Sequence, residues 1–383
     1  MENLTFPTPD VIPGERDLRR EVRDFVKVEL AGYTPEERSF SWNAYDAGFA
    51  RKLGQRGWIG MTWPKQYGGH ERSSLERYIV TEELLAAGAP LGFCWVADRQ
   101  SGPLMLRYGT EAQRQRFLPA ISAGECSFCI GMSEPDAGSD LSAVRTRATR
   151  VDGGYRVNGR KIWTSNAHLS EYLILFCRTA DKDPEDRHAG FSQLIVKLDT
   201  PGINIRPIHY MNGEHRWNEV TFDDVLIEEG MLVGKEGGGW KQLTSELAFE
   251  RSGPDRILSS FIVVMQMLEV LKGSRDSKVI QAIGKLTSHL VALRALSRSV
   301  AGMLQSGESP VLQASVVKDL GTSFEQSVTE IARELLQIEP IRMQGATLAT
   351  VLADSIMLAP GYSIRGGARE VLRSIIARGL GVR

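Results

Sequence analysis

Apolar residues recur at three- and four-residue intervals over residues 17–30, where Leu18, Val22, Phe25, Val26 and Leu30 alternate with arginines and acids. That spacing predicts an amphipathic helix. The same period predicts helices over residues 73–87, with Ser73 or Ser74 as N-cap, and over 110–118. Residues 57–69 are interrupted by Gly and Pro and read as a loop. The pattern then changes between residues 126 and 227. Stretches 146–151 and 155–157 flank Asp152-Gly-Gly154, a hairpin signal, and the runs 172–176, 192–196 and 218–222 are strand-like. The helical period returns over 240–272, 276–306, 310–338 and 341–357, with no further strand signal. The chain therefore divides into an N-terminal α-helical domain (1–124), a middle antiparallel β-domain (125–228) and a C-terminal helical bundle (229–383). No internal repeat or low-complexity linker interrupts this order.

Composition narrows the function classes. The chain has 383 residues, 42% of them apolar and 24% charged, which is ordinary for a soluble globular protein. A formal net charge of −1 offers no whole-chain attraction to nucleic acid or an anionic membrane. No apolar run approaches the roughly 18 residues of a transmembrane helix. Residues 1–20 lack the apolar core of a secretory signal, so a cytoplasmic setting is expected. Four cysteines do not make a disulfide scaffold. Cys126 and Cys129 form a lone C-x-x-C with no second ligand pair, and the six histidines have no ligand spacing. The two cysteines read as apolar residues at a strand start, and no metal site is expected.

Four stretches carry chemistry. Cys129-Ile-Gly-Met-Ser-Glu-Pro-Asp-Ala-Gly-Ser-Asp140 is one, and residues 153–166, ending Arg160-Lys-Ile-Trp-Thr-Ser-Asn166, are a second. Asn218-Glu-Val-Thr-Phe-Asp-Asp-Val225 and Leu372-Arg-Ser-Ile-Ile-Ala-Arg378 complete the set. In this order along nearly the whole chain they resemble the acyl-CoA dehydrogenase family of flavoproteins. The resemblance implies a mainly α fold with a β insert: an N-terminal α-domain, a middle antiparallel β-domain and a C-terminal four-helix bundle. It implies FAD as cofactor, with Ile130, Met132, Ser133, Gly138 and Ser139 at the flavin-binding loop positions. A Gly-Ser pair suits close phosphate approach, because the glycine clears space while amides and hydroxyl donate hydrogen bonds. Trp163 and Ser165 match residues that pack on the flavin and hydrogen-bond to it. Ser139 also stands at a substrate-contacting position.

The family reaction removes a proton alpha to a thioester carbonyl while hydride leaves the beta carbon. That chemistry needs a carboxylate held in a dry pocket. Most members place a glutamate in a C-terminal loop where this chain has Gly366. Members resembling isovaleryl- and long-chain acyl-CoA dehydrogenases instead carry it on a bundle helix, before an arginine, with glycine in the loop. Glu250-Arg251 together with Gly366 fits that second arrangement. The resemblance then assigns Glu250 as base and Arg251 as a residue that positions it or the CoA. The Gly366 N–H would polarise the thioester carbonyl, an oxyanion-type contact.

The chain also departs from the family pattern. Residues 272–284 lack the R-x-x-F-G motif that reaches a neighbouring subunit's flavin dinucleotide, and residues 338–345 lack Q-x-x-G-G-x-G-Y. Ala368 replaces the threonine that follows the loop position in most members. The flavin-ring half of the site is thus retained and the adenosine half is lost or replaced. Two explanations follow: a heteromer in which a paralogous subunit supplies the missing half, as in similar bacterial members acting on bulky or steroid-derived acyl-CoAs, or a homo-oligomer with substituted contacts. The first is favoured, as a dimer or tetramer. Electron-transfer flavoprotein is the acceptor that the resemblance implies. Within residues 95–103, Arg99 is a candidate for recognising a polar or carboxylate group on the acyl chain, the alternative being an ion pair with Asp98 or another acid. Two other functional classes remain open: a non-catalytic partner subunit, and a relative acting as oxidase or flavin monooxygenase.

Overall fold

The structure, a computed structural model, describes residues 4–343, 345 and 347–382, with the side chains of residues 246–250 outside the description. The helices are α1 (Glu15–Glu29), α2 (Pro35–Phe40), α3 (Ala47–Gln55), α4 (Ser74–Ala86), α5 (Gly102–Tyr108), α6 (Glu111–Ser122), α7 (Gly239–Glu250), α8 (Phe261–Val270), α9 (Ser277–Gln305), α10 (Val311–Leu336), α11 (Thr347–Tyr362) and α12 (Arg369–Gly379). The strands are β1 (Phe128–Gly131), β2 (Arg147–Val151), β3 (Gly154–Lys161), β4 (Tyr172–Arg178), β5 (Phe191–Lys197), β6 (Ile203–His209) and β7 (His215–Glu228). Several helices start where local chemistry dictates. Ser73 and Thr110 each accept a hydrogen bond from the backbone three residues on, and Glu76 and Gln113 return it, so both α4 and α6 begin with a capping box.

The chain folds as two compact units: residues 1–44, 72–90 and 247–383 in one, 45–71 and 91–246 in the other. In the first, α10 packs against α8, α9, α11 and α12, while α4 packs against α1 and α9. Val317, Phe324 and Val328 of α10 are buried there with Leu286, Leu293 and Val300 of α9 and Val351 and Leu352 of α11. An ionic network ties this unit together. Arg19 bonds Glu15, Glu82 and Glu83, Arg294 bonds Glu82, and Arg298 bonds Glu15.

The second unit holds one seven-stranded sheet in the order β1-β4-β2-β3-β7-β6, with β5 also on β4. Most pairs are antiparallel. The exceptions are β1 beside β4 and a single β2–β4 match, both parallel. The chain between β1 and β4 carries the β2–β3 hairpin, long enough for a parallel return. That hairpin turns at Asp152-Gly153, with Val151 opposite Gly154 and Gly153 at φ 78°. Leu173, Leu175, Leu194, Val196, Val220 and Val225 fill the sheet's core.

Two boundaries differ from the sequence pattern. The helix predicted over 240–272 breaks after Glu250, and residues 252–260 form turns around Gly253-Pro254 before α8 begins. Proline has no N–H to donate and blocks the preceding turn. The helix predicted from 341 starts at Thr347, after Gly345 at φ 83°, and runs on to Tyr362.

Candidate active site

The loop after β1 is anchored from beneath. Lys161, fully buried at the end of β3, donates to the Glu134 carboxylate at 2.8 Å and to the Met132 carbonyl at 3.0 Å. Glu134 also accepts from the N–H groups of Arg145 (2.7 Å) and Thr146 (2.9 Å). Burial works to raise the Glu134 carboxyl, but the Lys161 charge and these donors hold it below the usual carboxylate range. The Ser133 carbonyl accepts from the Ile162 N–H at 2.9 Å. The Ser-Glu-Pro loop and the Lys-Ile-Trp segment, far apart in sequence, are thereby fastened to each other. Ile130, Met132 and Ser133 are half-buried along this seam, and Gly138 and Ser139 are exposed. Apart from Gly138 and its two chain neighbours, no described atom lies within 4 Å of the place a Cβ on Gly138 would take, so a ligand has room there.

Trp163 and Ser165 follow on the same segment. Trp163 is 52% exposed, unusual for its size, and packs edge-on to Trp217 at 5.5 Å. Trp163 (φ 60°) and Asn166 (φ 56°) both adopt left-handed backbone. Each such residue costs about 1–3 kcal/mol and persists only where its surroundings impose it. Asn218 of β7 does so here. It is fully buried, exchanges two backbone hydrogen bonds with Thr164 at 3.1 Å, and donates its side-chain amide to the Thr164 carbonyl at 2.9 Å. The Asn166 N–H bonds the Arg216 carbonyl at 2.8 Å. The buried Thr164 hydroxyl has no partner among the described residues. An exposed indole held in strained backbone, an open glycine and one unsatisfied buried hydroxyl fit a planar, polar-edged ring such as a flavin. Arg99 lies on a wide π turn at Ala97–Ser101, its guanidinium 4.5 Å from the centre of the Trp95 ring, while Asp98 accepts from the Gly60 N–H at 2.8 Å.

Glu250 ends α7, and its side chain lies outside the described residues. Arg251 is buried and donates through Nε to the Gly366 carbonyl at 3.1 Å, so the structure brings these two sequence candidates together. Gly366 sits at φ 66°, and a Cβ there would lie 3.0 Å from the Arg256 guanidinium. A side chain at this position would be strained and crowded by a cation. No described residue accepts a hydrogen bond from the Gly366 N–H. The surrounding residues escaped the sequence pattern. Lys318 is fully buried on α10, and Arg365 bonds both Ser259 and Glu325. Lys161 and Glu134 fall inside the quoted motifs, yet nothing in one strand's pattern says that a lysine turns inward. Cys126 and Cys129 are buried thiols, each pushed up to about 12 by burial.

Comparison with known proteins bears on this arrangement. The N-terminal domain of acyl-CoA dehydrogenases matches residues 13–125 and the middle domain matches residues 129–225. Acyl-CoA dehydrogenase FadE29 of Mycobacterium tuberculosis is 34% identical over 382 residues, covering 96% of each chain. Among solved structures, the Tcur3481-Tcur3483 steroid acyl-CoA dehydrogenase superposes with TM-score 0.87 at 29% identity, over 97% of this chain and 99% of that one. The ChsE4-ChsE5 complex from Mycobacterium tuberculosis superposes with TM-score 0.84 at 31% identity, over 98% of this chain and 99% of that one. Motif order, fold and these likenesses agree: the chain belongs to the acyl-CoA dehydrogenase family of flavoprotein oxidoreductases.

Proposed function

We propose that the chain catalyses FAD-dependent α,β-dehydrogenation of an acyl-CoA thioester to the trans-2-enoyl-CoA. The observation that carries the reading is the Arg251–Gly366 contact, which links the residue after the proposed base to the loop that bears glycine instead of glutamate. Glu250 removes the proton from the carbon alpha to the thioester carbonyl. Arg251 holds the base or the CoA in register, and the Gly366 N–H, with no acceptor of its own among the described residues, donates to the carbonyl oxygen as negative charge develops. Ile130, Met132, Ser133, Gly138, Ser139, Trp163 and Ser165 hold the FAD, and Ser139 and Arg99 also face substrate. When bound, the flavin supplies the hydride acceptor; the protein supplies position and electrostatics. Electron-transfer flavoprotein is the proposed electron acceptor.

The experiment is the visible spectrum of the purified chain between about 350 and 500 nm, after FAD is added back, followed by a panel of straight-chain, branched and steroid-side-chain acyl-CoAs. Bleaching by a panel member, lost in Glu250→Gln with a fall in kcat of about 10²-fold or more, is the expected result. Bleaching that survives Glu250→Gln overturns the assignment of the base. Peroxide or an oxygenated product in place of bleaching would favour the oxidase or monooxygenase reading. A second reading, that a paralogous subunit completes the FAD site, is favoured by the missing R-x-x-F-G and Q-x-x-G-G-x-G-Y motifs. The two-component names of Tcur3481-Tcur3483 and ChsE4-ChsE5 agree with it. In that case the chain alone stays colourless with FAD and gains the spectrum when its partner is co-expressed.

A further inference from the structure

Lys318 is fully buried yet bonds no carboxylate among the described residues. Its ammonium instead donates to three backbone carbonyls of the turn between α11 and α12: Tyr362 at 3.2 Å, Gly367 at 3.1 Å and Ser363 at 3.5 Å. Thr322, one turn along α10, also donates to Tyr362 O at 3.2 Å. Arg251 donates to the intervening Gly366 carbonyl at 3.1 Å. The two glycine carbonyls are therefore pinned on buried cations from separate elements. Both glycines have left-handed φ, 66° at Gly366 and 100° at Gly367, so without the pins this is the most freely rotating part of the turn. The Gly366 N–H lies in the Arg365–Gly366 peptide plane, and the contacts restrain that plane from both sides: Arg251 holds the Gly366 carbonyl after it, while Lys318 on the Ser363 carbonyl and the Arg365 N–H on the Gly361 carbonyl (3.1 Å) hold the chain before it.

We propose that Lys318 is a positioning residue for the reaction: with Arg251 it clamps the Gly366–Gly367 turn so that the Gly366 N–H meets the thioester oxygen. The inference rests on the role given to Gly366 above. An ammonium matches three carbonyl acceptors with three N–H donors, whereas a neutral amine has two. Among the described residues the charged groups acting on Lys318 are Arg256 on the turn before α8, itself paired with Asp255, Arg365 on the clamped turn, itself paired with Glu325, and Glu325 and Asp319 on α10. Asp319 is in turn paired with Arg369 and Arg373 of α12. Burial, then the charges of Arg256 and Arg365, pulls the Lys318 ammonium down to about 7. The clamp is thus complete below that pH and loses a donor above it.

The test uses the holoenzyme, with its partner subunit if one is needed, and the panel acyl-CoA with the highest kcat/KM. Wild type should show kcat falling as pH rises through about 7. Lys318→Met should lower kcat roughly tenfold or more, the scale of a misaligned oxyanion donor, with KM changed less than about threefold and with that limb gone. Lys318→Arg, charged at every pH used, should recover part of kcat and also lack the limb. Lys318→Gln replaces Met if the latter fails to fold. A limb that persists in the variants, or an unchanged kcat in Lys318→Met, overturns the proposal. Amide hydrogen exchange of a peptide covering residues 363–368 is measured on the same proteins without substrate. Faster exchange in Lys318→Met is expected, and unchanged exchange also overturns the clamp. A wild type that turns over no panel member refutes the dehydrogenase reading alone, and the exchange measurement still decides the clamp.

Discussion

Individual residues here carry opposed demands. Lys161 is an ammonium with no exposure, tolerable only because the Glu134 carboxylate and the Met132 carbonyl accept its hydrogen bonds. Removing one partner leaves the other buried and uncompensated. Lys161→Met is expected to destabilise the fold by roughly 3 kcal/mol, read as a shift in the denaturant midpoint, and to weaken FAD retention by loosening the Ser133–Ser139 loop. The pair also has a pH signature. Because the folded Glu134 carboxyl titrates below its ordinary range, its contribution is present above the unfolded value and is lost as pH falls through the folded one. At Gly366 the demand is conformational. Gly366→Ala places a Cβ at φ 66° against Arg256, and about 1 kcal/mol or more of stability should be lost, together with kcat if the N–H is displaced.

At the scale of elements, local signals told most where they were chemically specific. Of the two serines that the sequence offers as N-cap, Ser73 starts α4, and Ser73→Ala should cost about 1 kcal/mol in urea unfolding by removing the capping box. The Asp152-Gly153 turn was equally legible, because only a short left-handed turn joins two strands there. Helix continuity was not. Residues 240–272 keep an apolar period across Gly253-Pro254, but the backbone cannot, so α7 and α8 are separate helices. β6 was missed because it is an edge strand: one neighbour, mostly exposed residues and Pro207 within it give no clean alternation. β1, four residues long, was too short to show a period.

Across whole units, what holds distant chain segments together is ionic as well as apolar. Glu15 near the start of the chain bonds Arg298 on α9, and Glu82 and Glu83 on α4 share Arg19. Burial opposes ionisation of Glu15 and Glu83, but their arginine partners win and hold both below the usual carboxylate range. The stability they add is present at neutral pH and disappears as pH falls below that range, so the melting temperature should drop on acidification. In Glu83→Gln that acid limb should be shallower and the neutral-pH melting temperature lower. Among the described residues no helix is long and apolar enough to cross a membrane.

The sequence alone determined what depends on residue type and order. The alternation of helical and strand periods, the four motifs, and the pairing of Glu250-Arg251 with a loop glycine were all readable from residue identities. Their agreement across 383 residues made the family recognisable. Only the tertiary structure decided which buried charges meet. Lys161 finds Glu134 across 27 positions, Arg251 reaches Gly366 across 115, and Lys318 collects carbonyls 44 to 49 positions away. A buried ammonium has no periodic signature, because its stability comes from acceptors supplied by other segments, and these exist as a set only once each unit has packed within itself.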